Sequence, residues 1–176
     1  MSRHDELVER IVGLPPLRGP EPRLRVTIAP TWEPVVFITV IDAGPTLSLS
    51  VITPGPKFVQ LLMKAATDDT AIEVDPSRRV YTGRVPDDRI ATLRRHRHHT
   101  AWALGDREPT GMDGLTVTTD VYDPARSHHR ASQWWPPTGT PMAELMLDAV
   151  DAAGTVDPSL LARRWVQEAQ TERSRT

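Results

Sequence analysis

The side chains able to do chemistry fall in two stretches. Arg94-Arg95-His96-Arg97-His98-His99 sets three guanidiniums beside three imidazoles, and Asp120, Asp123, His128 and His129 follow farther along. Were the fold to bring these together, His96, His98, His99, Asp120 and His128 would form a composite site of general acid–base type, with imidazoles moving protons and a carboxylate orienting them. His96 and His99, at i and i+3 on one helical face, could also take a divalent metal with His128, His129, Asp120 or Asp123 from the later segment. The chain has neither H-E-x-x-H nor an EF-hand loop, so solvated histidines are the plainer reading, and no metal and no cofactor is expected.

Read as an electrostatic patch, Arg94, Arg95 and Arg97 would meet phosphates, making a nucleic-acid-binding module one alternative. The competing reading is local: the cluster falls at the predicted C-terminus of a helix, where cations meet exposed carbonyls. Lys+Arg at 21 against Asp+Glu at 23 gives a formal charge of −2, so no overall field recruits nucleic acid or anionic lipid.

Other reactive signatures are missing. No G-x-S-x-G elbow occurs, and the prolines of Thr53-Pro54-Gly55-Pro56-Lys57 remove the N–H groups a phosphate cradle needs. Asp68-Asp69 and Asp87-Asp88 are explained by a turn and a helix start. Trp134 and Trp135 are adjacent, so on a strand they face opposite ways, one toward the core and one toward a partner. Tyr122, His128, Arg130, Trp134 and Trp135 thus define a partner-binding surface on one hairpin. The leading expectation is a non-enzymatic protein-interaction domain with an unidentified protein partner. An enzyme with a composite His/Asp site and a nucleic-acid-binding module are the alternatives.

The elements that must position these residues follow from periodicity. Ser2 with Asp5 forms a capping box for a helix whose apolar face is Leu7, Val8, Ile11 and Val12, ended by Gly13. Beyond a Pro-rich connection, Leu24, Val26 and Ile28 alternate with Arg23, Arg25 and Thr27, as in a half-exposed strand. Val35 to Ile41 reads as a central strand, and Leu47 to Val51 as a third, completing an antiparallel meander. Phe58, Leu61, Leu62, Ala65 and Ala66 have helical spacing. A hairpin of Ala71–Val74 and Arg79–Arg84 is expected through Asp75-Pro76-Ser77, then a helix from Pro86 with Ile90 and Leu93 inward. Gly105 to Gly114 is a polar loop. Leu115 to Val121 and His128 to Trp135 form a further hairpin, and Thr140-Pro141 opens a helix with Met142, Leu145, Met146, Ala149 and Val150 on one face. Asp157-Pro158 opens the last helix, with Leu161, Trp165 and Ala169.

Met112-Asp113-Gly114-Leu115, Ser132-Gln133-Trp134-Trp135-Pro136 and the helix after Gly139-Thr140-Pro141 together resemble an arrangement in uncharacterised bacterial α+β proteins, some of toxin-neutralising immunity type. The resemblance covers the C-terminal third and implies a fold and an immunity or regulatory role, with no catalytic residue. The expected architecture is α+β: an antiparallel sheet of about five to seven strands, in one sheet or two, packed against several helices. Residues 1–170 form a single domain, and 171–176 a frayed tail. The chain has no cysteine, its N-terminus lacks the apolar core of a signal peptide, and Val35–Ile41 is its longest apolar run, far too short to span a bilayer. A cytoplasmic protein without a membrane partner is expected.

Overall fold

The computed structural model describes residues 2–68, 72–98, 114–125, 127–135 and 140–174. Its elements run α1 (Arg3–Val12), β1 (Arg23–Pro30), β2 (Val36–Asp42), β3 (Leu47–Thr53), α2 (Phe58–Thr67), β4 (Arg79–Arg84), α3 (Asp87–His98), β5 (Leu115–Asp123), β6 (Ser127–Trp135), α4 (Pro141–Ala153) and α5 (Arg164–Arg173). The six strands form one antiparallel sheet in the order β4-β3-β2-β1-β5-β6, within a single α+β domain. Among the described residues, no helix is long and apolar enough to cross a membrane.

Period-two alternation divides the side chains of the sheet between two helical layers. Leu24, Val26, Ile28, Ile38, Val40, Leu49, Val51, Val117 and Val121 share one core with α4, Leu93 of α3, and Trp165, Val166 and Ala169 of α5. Helix α4 is buried nearly all round, as its Met-Ala-Glu-Leu-Met-Leu-Asp-Ala-Val sequence requires. On the opposite face, Phe37 and Ile52 pack with Val12 and Leu14, while Leu7, Ile11 and Ala65 join α1 to α2.

Both predicted caps form. Ser2 and Asp5 make a reciprocal capping box at α1, and the Thr140 hydroxyl accepts the Ala143 N–H at α4. Gly13 stops α1 in the left-handed conformation at φ +68°, where a side chain would be strained.

Four expectations are corrected. Strand β1 is not half-exposed: Arg23 and Arg25 are buried, because α1 and the proline segment after it cover that face. Residues 72–74 are not a strand, and β4 pairs with β3 instead; Ala71 lies outside the described residues. Asp75 is the reason. It is fully buried, its carboxylate accepts from the Gly55 N–H (2.7 Å) and from the Ser77 N–H and hydroxyl (2.9 and 2.6 Å), and its own N–H donates to Ile11 (2.7 Å). The Asp75 backbone ties the segment to the end of α1, and its side chain ties it to the loop after β3. Asp157 caps only a short 3-10 turn, Pro158–Leu160, and the last helix begins at Arg164. It continues to Arg173, through residues expected to fray. The polar loop up to Asp113 lies outside the described residues.

Candidate functional site

Antiparallel register places Arg25 of β1 opposite Thr39 of β2 on one side and Asp120 of β5 on the other, with Arg130 of β6 opposite Asp120. These polar residues form a row across the face that carries α1. Helix α1 lays Asp5 and Glu9, one turn apart, over the row. Arg25 donates to Glu9 Oε1 (2.6 Å), to the Thr39 hydroxyl (3.3 Å) and to the Pro15 carbonyl; Glu9 Oε1 also accepts the Leu17 N–H at 3.2 Å. Arg130 donates to Asp5 Oδ2 at 2.6 Å and lies 3.6 Å from Asp120, whose Oδ1 is 2.8 Å from His128 Nε2. Burial pushes the Asp5 carboxyl up, but hydrogen bonds from Arg130 and Ser2, with the guanidinium charge, prevail and bring it down to about 2.

Between this row and the helices lies a cleft of about 300 Å³. One end is charged: Asp5, Glu9, Arg25, Asp120 and Arg130. Its walls are apolar, from Val8 and Leu14 to Phe37, Phe58 and Leu62. That is the usual construction of a small-molecule site, an apolar body with a few convergent polar groups.

The histidines expected to converge do not do so where they are described. His128 lies with Asp120 on the α1 face. His96 of α3 instead pairs with Asp148 of α4 at 2.7 Å, on the face whose core contains Val117 and Val121, the neighbours of Asp120 that point the other way. The sheet therefore separates the two imidazole–carboxylate pairs, and His96 does not join Asp120 and His128. Burial pushes the Asp148 carboxyl up, but hydrogen bonds from His96 and Arg173 outweigh it and hold it below the ordinary carboxylate range. Arg173 also reaches Glu144 (2.9 Å), so this pair belongs to a tie between α3, α4 and α5. Among the described residues, no three His, Asp or Glu side chains are grouped to hold a metal. The side chain of His98, and His99 altogether, lie outside the described residues.

Of the arginines assigned to phosphate, Arg94 is engaged with both Asp42 oxygens (3.0 and 2.8 Å) and the Gly44 carbonyl, Arg95 is exposed, and the Arg97 side chain is outside the described residues. On the predicted partner hairpin Tyr122 is half-buried, while Arg130 and His128 are committed to carboxylates. Trp134 and Trp135 are in backbone register with Thr116 and Leu115; their side chains are outside the described residues. Sequence reasoning missed Asp5 as more than a cap, and Glu9, Arg25 and Asp148 entirely. A charge alternating with apolar residues on β1 reads as solvated, and the one available signal was Asp148 within an otherwise apolar helix face.

A second concavity, about 540 Å³, opens at another corner between the proline turns Pro30–Pro34 and Pro54–Pro56, with Phe58, Val59 and Arg79 in its lining. Val59 in its lining is 61% exposed, and Trp32, in the turn whose Pro30 and Glu33 line it, is 86% exposed.

No protein-family model, curated protein or solved structure matches this chain.

Proposed function

We propose that this chain is a non-enzymatic protein-interaction domain, of immunity or regulatory type, which binds its partner through the proline-walled groove rather than through the β5–β6 hairpin. The observation that carries the reading is Trp32, 86% exposed in the turn whose flanking Pro30 and Glu33 line the groove. Tryptophan is enriched among the few residues that dominate binding energy. Proline turns are stiff and lose little entropy when covered. The partner is a second protein that inserts an apolar side chain beside Val59 and meets Arg79 at the rim. Against an enzyme stand the division of the two His–Asp pairs between opposite faces and the mutual pairing of the cleft arginines and carboxylates.

The test compares wild type, Trp32→Ala/Val59→Asp, and Trp134→Ala/Trp135→Ala, with circular dichroism confirming that each is folded. A partner isolated from host lysate is purified and its affinity measured for all three. The reading expects the groove variant to weaken binding by about thirtyfold, the scale of losing one hot spot, and the hairpin variant to bind as wild type. Loss confined to the hairpin variant overturns it, as does full binding by the groove variant. A homodimer in sedimentation that the groove variant disperses would make the occupant a second copy and would equally overturn it.

A further inference from the structure

The cleft beneath α1 shares Val35 and Phe58 with the groove but has a charge character of its own. Its lining includes three carboxylates, Asp5, Glu9 and Asp120, and two guanidiniums, Arg25 and Arg130. Counted with histidine neutral, one negative charge is left over.

The hydrogen bonds sharpen this bias. All three nitrogens of Arg25 donate, to Thr39, Glu9 and Pro15, and Arg130 donates to Asp5 and leans on Asp120. Each carboxylate is used on one side only. Arg25 and the Leu17 N–H both use Glu9 Oε1, Ser2 and Arg130 both use Asp5 Oδ2, and His128 and Arg130 both meet Asp120 Oδ1. Among the described residues, Glu9 Oε2, Asp5 Oδ1 and Asp120 Oδ2 accept nothing. The Glu9 and Asp120 side chains are 12% and 7% exposed, so much of the hydration these oxygens would have in open water is excluded. An acceptor in that setting calls for a donor, preferably a charged one. Phe37 and Phe58 place two aromatic rings in the wall, and an aromatic face favours a cation over an anion.

We propose that this cleft binds a small organic monocation, an alkyl- or arylalkyl-ammonium whose N–H groups meet the unused oxygens of Asp120 and Glu9 while its apolar body lies between Val8, Phe37, Phe58 and Leu62. A carboxylate of the same length meets a net negative field. The corresponding alcohol keeps the apolar contacts and loses the charge.

Calorimetric titration with hexylammonium, hexanoate and hexanol at neutral pH tests this on the full chain. Saturable hexylammonium binding is expected, with hexanoate and hexanol at least about tenfold weaker, the scale of a hydrogen bond to a charged group. Asp120→Asn should weaken hexylammonium by a similar factor and leave hexanol unchanged. Val8→Phe, which fills the cleft without altering a charge, should abolish binding of all three and decides the matter if Asp120→Asn fails to fold. Equal or tighter binding of hexanoate overturns the proposal, as does no saturable binding of hexylammonium into the millimolar range. Undiminished binding by folded Val8→Phe would place the ligand elsewhere and would overturn it too.

Discussion

Thr119 carries a hydroxyl that is fully buried and has no hydrogen-bond partner among the described residues, in register between Val26 and Ala131. Such a group keeps its desolvation cost with no return. Thr119→Val conserves its shape and should raise the urea midpoint, by a stability gain of about 1 kcal/mol. Asp5 works in the other direction. Its carboxyl is lowered from 3.8 to about 2, so it binds fewer protons folded than unfolded; its contribution is complete above the unfolded value and is lost as pH falls through the folded one. Because the group is partly solvated, about 1 kcal/mol is the appropriate scale. Urea titrations of wild type and Asp5→Asn should differ at neutral pH and converge near pH 2. Neither residue's role was legible in sequence: Asp5 could be read as a cap, but its Arg130 partner lies at the far end of the chain. Arg25 was misread outright, since alternation reports which residues share a face and says nothing of whether a second layer covers it.

At the scale of elements, Asp75 holds a segment that has the composition of a strand and is not one. With Ala in its place, the Gly55 N–H and both Ser77 donors would lose a buried acceptor. Asp75→Ala should therefore cost about 2–4 kcal/mol, read as a fall in thermal midpoint, and should speed hydrogen exchange of the Gly55 and Ser77 amides first. Helix α4 makes the converse point. Its cap and apolar face were readable from Thr140-Pro141 and the spacing of its leucines and methionines, yet the one charge it buries, Asp148, is satisfied by His96 and Arg173 from two other helices. Asp148→Leu removes the charge along with its need for partners, and should lower stability less than His96→Leu, which removes one partner and leaves the charge. Chemical denaturation of both variants measures the difference. Local signals named most helices and strands because caps, turns and periodicity act within a few residues. The cleft was not legible because each of its ion pairs joins different elements.

Across the whole molecule, the meander β1-β2-β3 was legible because hairpin partners adjoin in sequence, whereas the single sheet was not, because it depends on β1 accepting β5 along its other side. That arrangement, β4-β3-β2-β1-β5-β6, has a consequence for the chain as it is made. When residues through α3 have emerged, β1 is paired with β2 alone, and its remaining N–H and C=O groups must wait for β5. The strand that ends up central begins life as an open template for pairing with other nascent chains. Arg23 and Arg25 lie on that strand, and wherever α1 has yet to cover them their charge opposes such pairing. A fragment ending at His98 should remain dispersed with these arginines and aggregate when both become Leu, as light scattering would register.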